Sequence, residues 1–154
     1  MYKRQPETPP NPYLAHIPER DINTPSGKKL TLVNPAYMTR QIYELEGHKY
    51  GLIGHLTSPK PIRPENVPDE WESSAYAKIS QGKKEYFSVV DLDGKKFMRL
   101  MIPFFVEESC MKCHARQGYK LGKLRGGNSI SVHMEPLWEH ARKALLKISL
   151  NHAH

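Results

Sequence analysis

The chain is poor in cysteine: its 154 residues contain two, Cys110 and Cys113. Two thiols exclude a disulfide-stapled scaffold, a four-cysteine zinc site and an iron–sulfur cluster held by cysteine alone. Long apolar runs are also missing, since no stretch reaches the roughly 18 residues that a membrane-spanning helix needs. With 38% hydrophobic and 25% charged residues, the composition suits a soluble globular protein.

Motifs of several large function classes are missing as well. The net charge is +7, but the basic residues come as scattered pairs such as Lys28-Lys29 and Lys83-Lys84, so no nucleic-acid partner is expected. The sequence has no phosphate-binding glycine loop, no H-E-x-x-H and no G-x-S-x-G. Enzymes of these classes are therefore not expected.

Proline divides the chain into two halves, because 11 of the 13 prolines lie in the first 68 residues. Residues 1–12 have no core-forming pattern and are predicted to be an N-terminal arm. Asn34-Pro35 predicts a helix start, with Asn as N-cap and Pro at the first helical position. Asp69 predicts the cap of a second helix, which runs to about Ser80 and buries Trp71.

The second half of the chain has the alternation typical of strands. Asp93-Gly94 is a strong hairpin signal between two of them. Pro136 predicts the start of a final helix. The pattern predicts an α+β fold, with a central antiparallel sheet flanked by helices. The expected strands span 30–33, 85–92, 95–106 and 128–134. A flexible Gly126-Gly127 is expected before the last strand, and a loop that carries the cysteines is expected at 107–122.

One motif carries chemistry: Cys110-Met111-Lys112-Cys113-His114 is C-x-x-C-H, the pattern of c-type haem attachment. The two thiols lie about one helical turn apart, which suits thioether bonds to the two haem vinyl groups. His114 then supplies the proximal imidazole to the iron. We predict one covalent haem c per chain, and attachment of this kind places maturation outside the cytoplasm.

Two other readings of the motif stay open at this point. A C-x-x-C pair also occurs in redox dithiols and as half of a zinc site. A thioredoxin-like site is disfavoured, because a glycine-rich segment follows the motif where a long helix is required. A zinc site needs two more ligands, which His133 and His140 are the candidates to supply.

Further side chains are nominated around the haem. Met38 is the preferred sixth iron ligand, because its helix starts at a well-capped end; the alternatives are His16, His48, His55, His133 and Met134. Trp71 and Tyr119 are candidates to wall the haem. Arginine pairs bidentately with carboxylate, so arginines are candidates to bind the propionates, namely Arg63 and Arg125 together with Arg99 and Arg116.

Several segments resemble a bacterial family of PAS-like c-type haem sensor domains, long catalogued as a domain of unknown function. They are NPAYMTR at 34–40, LTS at 56–58, RPENVPDEWE at 63–72, C-x-x-C-H at 110–114, Gly118-Tyr119 and RGG at 125–127. The resemblance covers about residues 11–140. It implies a PAS-like fold with haem held between sheet and helices. Some members have a cysteine in the first helix that can reach the iron, and this chain has none there.

The resemblance also implies a function and a setting. It divides the chain into an arm (1–12), a haem-binding sensor domain (13–136) and an output helix (137–154) that leads towards a membrane segment. The expected function is the extracytoplasmic, periplasmic input domain of a sensor histidine kinase or related signalling protein. It would sense redox state, or NO, CO or O2, through the haem iron. Flanking membrane helices, a cytoplasmic signalling module and a second copy of the chain are the candidate partners. The alternative is a monohaem c-type electron-transfer protein.

Overall fold

The computed structural model describes the backbone of residues 1–151; the side chains at 46–50, 112–113, 116 and 149–151 lie outside the described residues. Among the described residues, no helix is both long and apolar enough to cross a membrane. The chain has seven described strands: β1 (Tyr2–Arg4), β2 (Asp21–Asn23), β3 (Lys29–Leu32), β4 (Leu52–Thr57), β5 (Tyr86–Leu92), β6 (Lys95–Phe105) and β7 (Leu124–His133). The described α-helices are α1 (Pro35–Tyr50), α2 (Glu70–Ser80), α3 (Glu108–His114) and α4 (Glu135–Asn151).

The main sheet is antiparallel throughout, in the order β4-β7-β6-β5. Its β5–β6 hairpin turns at Asp93 and Gly94, whose φ angles are 52° and 74°. A two-residue hairpin turn of this kind needs left-handed backbone at both positions, and Asp-Gly tolerates it. Helices flank the sheet, so the predicted α+β class with a central antiparallel sheet is confirmed.

A second, three-stranded sheet has the order β1-β3-β2. The predicted arm therefore contains a strand, in which Tyr2–Arg4 pairs with Leu30–Leu32 of β3. Thr8 and Asn11 are buried behind it. The local sequence does not predict this strand, because its residues are mostly charged and lie close to prolines. Its pairing partners in β3 are about 30 positions away in the sequence. The division into arm, sensor domain and output helix stays a prediction.

Helices α1 and α2 pack on opposite faces of the main sheet, α1 against β4 and α2 against β5 and β6. Neighbouring side chains on a strand point to opposite faces. Gly54 meets the ring of Tyr43 from α1, and a Cβ there would lie 2.2 Å from that ring, so only glycine fits. The next residue, His55, contacts Glu72 of α2. The core beneath α2 consists of Ala75, Tyr76, Ile79 and Met101, with Trp71, Tyr86 and Leu124 packed against it.

Both predicted helix starts are confirmed. Asn34 caps α1 by accepting a hydrogen bond from the Tyr37 N–H, and Pro35 is the first helical residue. Asp69 and Glu72 form a reciprocal capping box at the start of α2. These caps depend on residues next to one another in sequence, which is why the pattern predicts them.

Two local expectations were wrong. The segment 107–122 contains α3 and a 3₁₀ turn, Ala115–Gln117, where a loop was expected. Gly126 and Gly127 lie inside β7 and do not form a flexible lead into it. A Cβ at Gly126 would lie 2.5 Å from the Thr57 carbonyl oxygen, and one at Gly127 2.5 Å from the Met101 sulfur, so close packing accounts for both glycines.

The final helix, α4, exists as predicted and begins one residue before Pro136. Each of its side chains at 135–148 is exposed to solvent. Its role as an output helix stays a prediction.

Candidate functional site

A cavity of about 470 Å³ opens beside α1 and β4, on the face of the sheet that Tyr43 and Gly54 occupy. Its volume lies within the range of about 300–1,000 Å³ typical of small-molecule sites. The segment that follows β4, the end of α3 and the start of β7 complete its wall. Aromatic side chains from four parts of the chain line it: Tyr13, Tyr37, Tyr43, Phe104 and Tyr119.

His114, the last residue of α3, lies in this wall with both ring nitrogens engaged. Its Nδ1 contacts the side-chain oxygen Oε1 of Gln117, and its Nε2 lies 2.8 Å from Nη1 of Arg125. A guanidinium can only donate, so Nε2 must present its lone pair. The proton of a neutral ring is then on Nδ1, where Gln117 accepts it. His114 is thereby held in the tautomer whose Nε2 lone pair, which here accepts from Arg125, is the one that can bind a metal when Arg125 is displaced.

Among the described side chains, basic groups outnumber acidic ones around the cavity: Arg40, Lys60, Arg63 and Arg125 line it together with one carboxylate, Glu44. Two of these are paired at the surface, Arg40 with Glu44 at 3.6 Å and Arg63 with Glu65 at 3.2 Å. The Nε of Arg125 is buried and has no hydrogen-bond partner among the described residues. A buried donor without a partner costs free energy, so this guanidinium is suited to an anionic ligand.

Tyr119 connects two sides of the wall. Its hydroxyl lies 3.1 Å from Ser58 Oγ and donates to the Arg125 carbonyl, also at 3.1 Å. Its ring meets the His114 ring edge-on, with centroids 6.4 Å apart. The structure therefore brings four of the predicted site residues together at one cavity: His114, Tyr119, Arg63 and Arg125.

Cys110 lies in α3, half-buried, four residues before His114 and thus on the same face of the helix. Its sulfur accepts a hydrogen bond of 3.5 Å from the backbone N–H of Glu107. The side chain of Cys113 lies outside the described residues. Among those that are described, no three His, Cys, Asp or Glu side chains come together as a metal site.

Three of the predicted site residues whose side chains are described do not line the cavity: Cys110, Met38 and Trp71. Met38 lies on the outward face of α1, with 39% of its surface exposed, beside Ile42 and Leu45. Trp71 lies under α2 on the other face of the sheet, where its Nε1 donates to Ser88 Oγ at 2.8 Å. Its ring also stacks with the guanidinium of Arg99 at 4.4 Å. Trp71 and Arg99 are thus part of the packing on that face of the sheet.

Of the other candidate iron ligands, His16 and His55 line the cavity, whereas His133 packs its ring against Phe97 at 5.1 Å. His48 lies outside the residues whose side chains are described. The ring of His16 is exposed and makes no hydrogen bond to any described residue. Among the histidines whose side chains are described, His16 is therefore the available second imidazole at the cavity.

His55, in contrast, is fully engaged by acceptors. Its Nδ1 lies 2.9 and 3.0 Å from the two carboxylate oxygens of Glu72, and its Nε2 lies 2.7 Å from the Glu65 carbonyl oxygen. Both partners can only accept, so both ring nitrogens carry protons and the ring is cationic. The hydrogen bond to Glu72 raises the pKa of His55.

Glu72 is the most deeply buried charged side chain among the described residues, with 0% of its surface exposed. Burial alone would raise the pKa of Glu72. The hydrogen bonds from His55 and from the Asp69 backbone N–H outweigh burial and hold the pKa below its usual value. Arg99 adds a second cation at 3.3 Å. The sequence pattern did not identify this cluster, although the Asp-x-x-Glu capping box was a local sign that Glu72 turns inward.

The sequence is matched over residues 4–133 by the model of one family, described as Tll0287-like. Among solved structures, it is similar to the crystal structure of the cyanobacterial heme-protein Tll0287. The two share 12% sequence identity with a TM-score of 0.54, over 66% of this chain and 73% of that one. At this identity the likeness concerns the fold. No curated protein sequence matches the chain.

Proposed function

We propose that this chain, which belongs to the Tll0287-like family, binds one haem in the cavity beside His114. The observation that carries the proposal is the state of His114, whose Nε2 lone pair accepts from Arg125 at the wall of a basic, aromatic-lined cavity. The solved structure with a similar fold is that of a haem protein.

The residues present fit the group. An unprotonated imidazole nitrogen is an iron ligand. The buried Nε of Arg125 needs an acceptor, and a propionate carboxylate is one. Lys60 and Arg63 add positive charge for the second propionate, and Tyr119 and Phe104 offer apolar ring surface. When bound, haem supplies a one-electron redox centre and an iron that coordinates small gases.

We further propose that Cys110 and Cys113 attach the haem covalently as haem c. Cys110 lies on the same face of α3 as His114, one helical turn away, which supports this attachment. His16, rather than Met38, would be the second residue to bind the iron, because His16 lines the cavity and Met38 faces away from it.

We also propose that the domain is not an enzyme but works outside the cytoplasm as the input domain of a membrane-tethered signalling protein. It would respond to redox state or to NO, CO or O2. The family resemblance of its motifs supports this role. The exposed side chains of α4 suit contact with another module or with a second copy.

Haem attachment is tested by producing the chain in a bacterial host that carries c-type maturation enzymes. We expect a pyridine haemochrome spectrum typical of haem c and haem that stays on the chain through denaturing electrophoresis. A variant with both Cys110→Ser and Cys113→Ser should lose covalent haem, whereas Met111→Ala, a control between the two cysteines, should retain it. Haem that washes off the wild-type chain refutes covalent attachment, and no haem at all refutes the proposed function.

The sensor role is tested by comparing hydrogen exchange along α4 in ferric, ferrous and CO-bound protein. A sensor requires α4 to change with the state of the iron. Identical exchange in all three states, with fast electron transfer to a small redox partner, would favour the electron carrier.

A further inference from the structure

We propose that Gln117 is a positioning residue that fixes the tautomer of His114 and thereby the donor strength of the haem ligand. Gln117 ends the 3₁₀ turn that follows α3, three residues after His114. The proposal rests on the proposed haem site.

The orientation of the Gln117 amide is fixed from a distant part of the chain. Its Nε2 donates a hydrogen bond of 2.9 Å to the backbone carbonyl of Lys60, 57 residues earlier in sequence. The reverse orientation would place two oxygens together. Because the nitrogen faces Lys60, the oxygen Oε1 faces His114 Nδ1 and requires a proton there.

A second contact imposes the same requirement independently. Arg125 donates to His114 Nε2 from the opposite edge of the ring, which only a lone pair can accept. Two contacts from different segments thus define one tautomer. Removal of Arg125 from Nε2 by a bound group leaves the Gln117 contact in place, so the ring keeps its Nδ1 proton.

The hydrogen bond between Gln117 and His114 has a chemical consequence for a metal bound at Nε2. An acceptor on the far nitrogen of a ligating imidazole increases its basicity and favours the more highly charged metal. A stronger acceptor at 117 should therefore stabilise ferric haem, and the absence of an acceptor should favour ferrous haem. Gln117 is a neutral amide acceptor, so the relative stability of ferric and ferrous haem should lie between those two cases.

The test compares two variants of opposite expected sign in haem-loaded protein. Gln117→Leu removes the acceptor and should raise the midpoint potential, whereas Gln117→Glu provides a charged acceptor and should lower it. Outer partners of metal ligands typically change site properties by about 10- to 100-fold. A tenfold change in the relative stability of the two iron states corresponds to about 59 mV for one electron. Gln81→Leu, a control at the exposed end of α2, should leave the potential unchanged.

Two readouts separate failure of this inference from failure of the haem proposal. If wild type and variants all carry haem and both Gln117 variants keep the wild-type potential, or shift it in the same direction, the positioning role is refuted alone. In haem-free protein, ¹⁵N chemical shifts of His114 should show the proton on Nδ1 in wild type and lose that preference in Gln117→Leu. A wild-type proton on Nε2 overturns the inference whether or not haem binds.

Discussion

Two histidines, His55 and His114, line the same cavity in opposite chemical states. His55 is held between two acceptors, the carboxylate of Glu72 and the carbonyl of Glu65. His114 is held between an acceptor, Gln117, and a donor, Arg125. The first arrangement consumes both ring nitrogens and makes the ring a structural cation. The second keeps the ring neutral, with a lone pair on Nε2 that accepts from Arg125 and can bind a metal when Arg125 is displaced.

The comparison shows that lining a cavity does not make a histidine a ligand. What decides is the hydrogen-bonding character of the neighbours on each side of the ring. His55 belongs to the sheet face covered by α2, through its contacts with Glu72, although its ring also borders the cavity. His114 belongs to the cavity, because its partners Gln117 and Arg125 both line it.

The largest expected effect comes from removing the proposed ligand. His114→Ala should abolish the low-spin absorption bands of the haem-loaded protein, and added imidazole should restore them. His133→Ala is the matched control, because that ring packs against Phe97 away from the cavity. Retention of wild-type bands in His114→Ala would show that His114 does not bind the iron, and the contrast with His55 would then fail.

The second prediction breaks the structural cluster. Glu72→Gln keeps the shape of the side chain but removes the charge that neutralises His55 and Arg99. Breaking a buried ion pair from one side costs about 3–5 kcal/mol, and the amide retains some hydrogen bonding, so we expect a loss of about 3 kcal/mol. Chemical denaturation measures this value. Glu70→Gln, an exposed neighbour in the same helical turn, should lose less than about 1 kcal/mol; equal losses in the two variants would contradict the buried pair.

The third prediction concerns pH. The pKa of His55 is raised above 6.5 in the folded chain, so its contribution to the free energy of unfolding is complete below that pH and is lost as pH rises through the folded pKa. The pKa of Glu72 is lowered from 4.5, so its contribution is present above that pH and lost as pH falls. The pair should stabilise the fold most between these two values.

His55→Gln tests this window. At about pH 6 it should cost about 1.5 kcal/mol, the lower end for hydrogen bonds to charged groups, because the ring is partly exposed. The difference between wild type and variant should shrink as pH rises towards about 9. Denaturation curves at several pH values measure it, and a difference that grows with pH would show that His55 is not held as a cation.

Sequence reasoning was most successful where structure depends on neighbours in the chain. The caps at Asn34 and Asp69 and the turn at Asp93-Gly94 are local chemistry, and each lies where predicted. Strand β1 escaped prediction because its partner is distant. The short helix α3 escaped because seven residues are too few for a periodic pattern to show.

The residues of the site divide in the same way, into those that the local sequence predicts and those that depend on tertiary contacts. His114 follows from the spacing of a motif and lies in the cavity, as expected for a ligand. Its partner Gln117 depends on the Lys60 carbonyl, a tertiary contact that no local pattern encodes. Met38 and Trp71 were nominated from helices without knowledge of which face each helix turns towards the cavity. For α1, the orientation is determined by Gly54 of β4. This glycine leaves room for the ring of Tyr43, so the face of α1 that carries Tyr43 packs against the sheet.

The smallest expected effect follows from that helix rotation. Met38 and Tyr43 are five residues apart, which places them about 140° apart around α1. Met38→Ala should therefore leave the absorption spectrum and midpoint potential of the haem-loaded protein unchanged and should cost little stability, because the side chain is already exposed. His16→Ala is the matched positive comparison, since His16 lines the cavity and should alter the spectrum. A changed spectrum in Met38→Ala with an unchanged one in His16→Ala would reverse the assignment and require α1 to turn its other face to the haem.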